Sequence, residues 1–153
     1  MGRIESAQAT AQAKASVSIF VDTSVWYAAM DSSDSDNRRA KAILSGGEPL
    51  ITTDHVLIET WGLLVFRGRR HVAGLFWARL RSGLASVEPV SAADLEAAWQ
   101  ISESYADQDF SIVDCTSFAV MRRLGVERAA SFDHHFGVYR FGPDRRRAFT
   151  ILR

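Results

Sequence analysis

With 153 residues, 47% of them apolar, the chain is long enough for one globular domain with its own core, and it contains no apolar run long enough to span a membrane. Its 18 basic residues balance 18 acidic ones, which argues against a simple basic DNA-binding module and leaves room only for a local patch. Arginine carries nearly all the positive charge, Lys14 and Lys41 being the only lysines, and the lone Cys115 excludes an internal disulfide and fits a reducing compartment.

Residues 1–16 are rich in Ala, Gln and Ser, offer no apolar face to bury and lack the hydrophobic stretch of a signal peptide. They are expected to form a flexible extension ahead of a domain over 17–153, in a cytoplasmic protein. Val17 to Val21 reads as a strand apolar enough to be buried on both faces, and Ser24 to Met30 as the helix after it. The polar run Asp31 to Asn37 carries three aspartates but neither the glycine nor the distal glutamate of an EF-hand, so it reads as a solvated loop with a helix N-cap. A helix over Asn37 to Leu44 and a short strand over Pro49 to Thr52 follow.

Thr53 to Phe66 has helical periodicity, with Val56, Leu57, Thr60, Leu63 and Leu64 as its core stripe. The basic Arg67-Gly68-Arg69-Arg70 breaks it, and His71 to Leu80 resumes with Leu75, Phe76 and Leu80 as the apolar positions. A strand over Leu84 to Glu88 ends at Pro89. Ser91 to Asp94 resembles a capping box, opening a helix packed through Leu95, Ala98, Trp99 and Ile101. Ser111 is a natural N-cap for a helix that runs to Gly125 and holds Phe118, Met121 and Leu124 toward the core. Cys115 on that helix reads as a buried apolar thiol. Strands over Arg128 to Phe132 and Ala148 to Leu152 close a pattern of alternating strands and helices, which argues for a mostly parallel sheet flanked by helices.

Four carboxylates stand out against this frame. Asp22 follows the first strand directly, where open α/β sheets place their ligands. Glu59 lies on or near the apolar face of its helix, either reaching solvent at the edge of the stripe or buried at a cost of several kcal/mol unless paired or metal-bound. Asp114 occupies the first turn of its helix, where the dipole alone would favour it as a cap. Asp133 follows a strand, a position equally natural for a turn residue. Together, with no basic partner in their motifs, they suit a hard divalent cation such as Mg²⁺ or Mn²⁺ and the hydrolysis of an anionic phosphodiester.

The stretches Ile19-Phe20-Val21-Asp22-Thr23-Ser24-Val25-Trp26, Thr52-Thr53-Asp54-His55-Val56-Leu57-Ile58-Glu59-Thr60, Asp109 to Gly125 and Ala129 to Phe136 resemble, in this order, the motifs of the PIN-domain family, most closely the VapC-type ribonuclease toxins of type II toxin–antitoxin systems. The resemblance runs from Val17 to Arg153. It implies a three-layer α/β/α fold around a central, mostly parallel sheet, and an endoribonuclease dependent on Mg²⁺ or Mn²⁺ whose products carry 5′-phosphate and 3′-hydroxyl ends. Asp22 and Asp114 would be direct metal ligands. Asp133 and Glu59 would complete the site, through water or by orienting the nucleophilic water, with Thr23 and Ser24 donating nearby hydrogen bonds. RNA substrate, a cognate antitoxin protein and a homodimer are the implied partners.

Other readings fail on named residues. A haloacid-dehalogenase-type phosphatase needs a second aspartate where Ser24 stands, a phospho-receiver needs a lysine later than Lys14 or Lys41, and a dinucleotide fold needs glycines that Asp22-Thr23-Ser24 lacks. His55, His134 and His135 form no recurring zinc pattern, and the two adjacent histidines read as turn residues, as does Asp109. The alternative from another class is a catalytically silent protein-binding module on the same fold. Trp26, Leu63, Phe66, Phe76 and Trp77 are its candidate contact residues, although core packing would account for most of them.

Overall fold

A computed structural model describes residues 2–153. Five strands, β1 (Ile19–Val21), β2 (Leu50–Thr53), β3 (Ser86–Glu88), β4 (Arg128–Ala130) and β5 (Thr150–Leu152), form one sheet in the order β3-β2-β1-β4-β5, with every pairing parallel. The helices are α1 (Gly2–Val17), α2 (Thr23–Met30), α3 (Asn37–Leu44), α4 (Asp54–Phe66), α5 (Arg70–Arg81), α6 (Ala92–Ser104), α7 (Ile112–Leu124) and the short α8 (His135–Val138). Parallel neighbours require crossovers, which these helices supply.

Successive side chains of a strand point to opposite faces, and Ile19, Phe20 and Val21 are all buried, so β1 is covered on both sides. Its register pairs Ile19 with Leu50 of β2 and Arg128 of β4, and Val21 with Ala130. The sheet grows from β1 through β2 to β3, then resumes on the other side of β1 with β4 and β5. That reversal makes the gap between β1 and β4 a topological switch point, where the loops leaving two adjacent strands diverge and open a crevice.

An aromatic cluster ties the elements around that crevice. Phe118 of α7 stacks on Tyr139 at 4.4 Å and meets the edges of Phe136 at 4.9 Å and Phe110 at 5.3 Å, and Phe136 of α8 reaches Phe20 of β1 at 6.2 Å. Gly125 ends α7 with φ 69°, a left-handed turn that closes its N–H onto Arg122 and Met121 carbonyls.

The segment read as an extension is helical over Gly2–Val17, with residues 3–14 exposed. It runs almost directly into β1, with Ser18 Oγ donating to Lys14 O at 2.8 Å. Apolar periodicity over-assigned the core. Leu63, Leu75, Leu95 and Trp99 are exposed, while the inward rows are Val56, Thr60 and Leu64 on α4, Ala73, Phe76 and Leu80 on α5, and Ala98 and Ile101 on α6. α5 packs on α4 and α6 on α7, each along a narrow line, so apolar residues off that line stay outside. In the loop read as solvated, Asp31 is buried and accepts from Ser33 N–H and Oγ and from Tyr27 OH, with Arg69 at 3.0 Å. Asp36 occupies the N-cap position of α3 without a side-chain capping bond, pairing instead with Arg39.

Phe118 is fully buried at the centre of the cluster, so Phe118→Ala is expected to destabilise the protein by ~3–5 kcal/mol, read as a lower urea midpoint at unchanged slope.

Candidate functional site

Asp22 caps α2 and donates its backbone N–H to Ala130 O of β4 at 3.0 Å, which seats its side chain in the switch-point crevice. Its Oδ2 accepts from Ser24 Oγ at 2.8 Å and from Ser131 Oγ at 3.0 Å. The side chain is almost wholly buried, and desolvation pushes the carboxyl up to about 6, against the pull of the Ser24 and Ser131 hydroxyls and with a further push from the charge of Asp114. The same two serines order the loop after β4: Ser24 Oγ accepts from Phe132 N–H at 2.9 Å, and Ser131 Oγ from Asp133 N–H at 3.1 Å.

Asp114 stands three residues into α7 and forms a reciprocal capping box with Ser111. Its Oδ2 accepts Ser111 N–H at 2.9 Å and lies 2.9 Å from His135 Nδ1, at the start of α8. Asp133 Oδ1 accepts the His135 backbone N–H at 3.0 Å, and its ring Nδ1 is 3.4 Å away. Glu59 reaches in from α4, half-buried. Desolvation raises its pKa, helped by the charges of Asp114 and Asp133. Thr23 Oγ1 is buried without a hydrogen bond of normal geometry, yet close enough to Glu59 to offset part of that rise.

The four acids therefore arrive at one edge of the sheet and perturb one another, and among the described residues none pairs with a lysine or arginine; only His134 and His135 approach them. Carboxylate oxygens from four segments, in mutual repulsion and beside an unsatisfied hydroxyl, fit a hard divalent cation. They do not converge on one point. Among the described residues, the metal-type side chains whose ligand atoms lie within 4.8 Å of one another are Asp133, His134 and His135.

A family model of the PIN domain matches residues 19–142. The chain belongs to the PIN-domain family. Among curated relatives it is similar to the 23S rRNA-specific endonuclease VapC20 from two strains of Mycobacterium tuberculosis, with 40% identity over 125 residues, 80% of this chain and 95% of the relative. Among solved structures it is similar to the crystal structure of that organism's VapC20, described as a sarcin–ricin-loop-cleaving toxin. There the TM-score is 0.72 and the identity 38%, over 76% of this chain and 90% of the other. The three-layer α/β/α architecture expected from the motifs is this PIN fold, with its sheet wholly rather than mostly parallel.

Two residues that touch the candidate acids escaped the sequence reading. His135 is not a turn residue but opens α8, half-buried, between Asp114 and Asp133. Ser131 is fully buried and bonds Asp22 across 109 residues of sequence. No local signal marks either, because each acquires its partner only in the fold. Asp109 lies exposed outside the cluster, and His55 faces Thr116 Oγ1 at 3.3 Å on α7.

The raised pKa of Asp22 has a measurable consequence. The folded protein holds this proton more tightly than the unfolded chain, so the stability it contributes is complete below the unfolded value of 3.8 and is lost as pH rises through about 6. In EDTA, denaturation curves between those values are expected to show a loss on the order of 3 kcal/mol from this group. Glu59 adds a contribution of the same sign. Asp22→Asn should flatten this slope and melt above wild type at neutral pH; equal slopes would contradict the assignment.

Proposed function

We propose that this PIN-domain protein is a divalent-metal-dependent endoribonuclease, the toxin of a toxin–antitoxin pair, with Asp22, Glu59, Asp114 and Asp133 as its site. The observation that carries this reading is the meeting of four carboxylates at the switch point with, among the described residues, no basic side chain but histidine to offset them. Such an arrangement costs stability unless a cation or a reaction uses it. The substrate class follows the relatives, whose activity is on 23S rRNA and whose solved structure is described as cleaving the sarcin–ricin loop.

Asp22 and Asp114 would hold the cation directly, with Asp133 and Glu59 completing the site through water or by orienting the attacking water. Bound Mg²⁺ or Mn²⁺ supplies positive charge for the phosphoryl oxygen and a water made easier to deprotonate. Glu59, whose carboxyl takes a proton more readily than an ordinary glutamate, suits accepting one from that water. Ser24 and Ser131 fix the rotamer of Asp22 through Oδ2. His135 holds Asp114 and Asp133 at a set spacing, the role of a hydrogen-bonding residue behind metal ligands.

The partners of this reading are RNA, an antitoxin and a second copy of the chain, in the cytoplasm; among the described residues no helix is long and apolar enough to cross a membrane. Of the residues considered as a contact surface, Trp26 and Phe76 are core, whereas Phe66, Leu63 and Trp77 are exposed on α4 and α5 and remain available. An antitoxin arginine reaching the carboxylates is the inhibitory contact their charge favours.

The test is cleavage of 23S rRNA with Mg²⁺, with Mn²⁺ and with EDTA. Cleavage is expected only with metal, and is expected to fall to background in Asp22→Asn and Asp114→Asn variants that remain folded by circular dichroism. Equal trace activity in all samples would instead favour a silent binding module. His135→Ala is expected to lower Mn²⁺ affinity, measured by calorimetry, by about 10–100-fold, and unchanged affinity would remove its positioning role.

A further inference from the structure

A second cleft lies behind the carboxylate site. It measures about 320 Å³ and is lined by Arg122, Arg140 and Arg145 together with Gln100, Ser104 and Tyr105, and no acidic residue lines it. In a chain with as many acids as bases, most arginines that make specific contacts do so with carboxylates, as Arg123 does with Asp94 and Glu88. These three do not. Arg122 Nη1 donates to Tyr139 OH at 3.3 Å, and Arg140 Nη1 to the carbonyls of Gly137, Val138 and Tyr139 at the end of α8. The Arg145 backbone N–H donates to Gly142 O at 3.1 Å, and among the described residues its guanidinium makes no hydrogen bond or ion pair.

Neutral acceptors orient two of the guanidiniums without cancelling their charge, so the cleft keeps its positive potential. Arg145 adds an independent sign of use. It is the one non-glycine residue with positive φ among the described residues, at 52°, in the turn closed by the Phe141–Arg147 bridge. A side chain held at such a backbone costs on the order of 1 kcal/mol or more, and such outliers gather at ligand-binding positions.

The cleft is also coupled to the carboxylate site by packing. His135 meets Phe110 at 5.3 Å, Phe110 meets Tyr105 at 5.4 Å, and the Tyr105 hydroxyl both accepts from Arg140 N–H at 3.1 Å and donates to Arg140 O at 2.9 Å. Two aromatic rings thus link Arg140 to the residue that bridges Asp114 and Asp133.

Resting on the ribonuclease reading, we propose that the Arg122–Arg140–Arg145 cleft is an exosite for backbone phosphates of the structured RNA outside the scissile bond. The carboxylates repel a polyanion, and an uncompensated cationic cleft beside them supplies the attraction that brings the strand in and sets its register. Planar guanidiniums suit paired phosphate oxygens. The cleft carries binding of the folded RNA, while cleavage of RNA already bound depends on the acids.

The test uses the full chain and a 23S rRNA fragment bearing the sarcin–ricin loop. Binding is read by fluorescence anisotropy in EDTA over a salt series, and cleavage with Mn²⁺ is read separately. The pocket variant Arg122→Gln/Arg145→Gln is compared with a charge-matched control, Arg79→Gln/Arg81→Gln on α5, and thermal melts check that both fold. The pocket variant is expected to bind about tenfold more weakly, with a salt slope smaller by about one to two, to raise KM and to keep kcat, while the control stays within about twofold of wild type. Arg122→Lys with Arg145→Lys is expected to restore part of the affinity. Equal effects in pocket and control variants would reduce the cleft to general charge and overturn the exosite. Inorganic phosphate stabilising wild type but not the pocket variant, with RNA affinity unchanged, would make it a pocket for a free anion and overturn it likewise. Failure of the nuclease reading would appear as wild type that binds without cleaving, an outcome separate from the binding comparison.

Discussion

The candidate site is organised around a carboxylate taken out of water at the end of the central strand. Burying Asp22 costs several kcal/mol if nothing compensates it. Two hydroxyls and the amino-terminal end of α2 compensate only in part, since the carboxyl still sits well above the usual range. One of those hydroxyls, on Ser131, comes from beyond β4, so the compensation exists only if β4 lies beside β1. The sheet order and the partial neutralisation of Asp22 are therefore one constraint. The remaining acids are held by equally specific local devices: a capping box for Asp114 and, for Asp133, the N–H of His135.

Much of this was legible in the residues. A strand running into Asp22, the Ser111–Asp114 box and the turn at Gly125 are local signals, and each appears in the structure where its chemistry placed it. The arrival of the four acids at one edge of the sheet was legible only through the order of the motifs, since nothing local to Glu59 or Asp133 separates a ligand from a stripe edge or a turn. What periodicity misplaced were apolar residues just off the contact line, Leu63, Leu75, Leu95 and Trp99. A helix pattern shows which residues share a side, but the width of the buried strip depends on what the helix meets. His135 and Ser131 were hidden for a related reason, because their partners are Asp114 and Asp22, 21 and 109 residues away.

Net charge conceals a second aspect of the design. A sum of zero is compatible with a uniform surface, yet acids gather at the carboxyl edge of β1 and β4 while three arginines without carboxylate partners line the cleft between the end of α7 and the segment after α8. The short α8 separates the two, with His135 opening it and Arg140 fastening its last carbonyls. Four residues of helix thus lie between the charged regions and, through Phe136, are anchored to the core.

The placement of β1 also has a temporal side. A chain emerging from the ribosome presents β1 and Asp22 early, but the neighbour that seats Asp22 is β4, and Asp133 and His135 come later still. Pairing over so long a separation is slow and must wait for the second partner to be made. Throughout the synthesis of α2 to α7 the nascent polypeptide holds no complete set of carboxylates, so the four acids can meet only after β4 and α8 have been made.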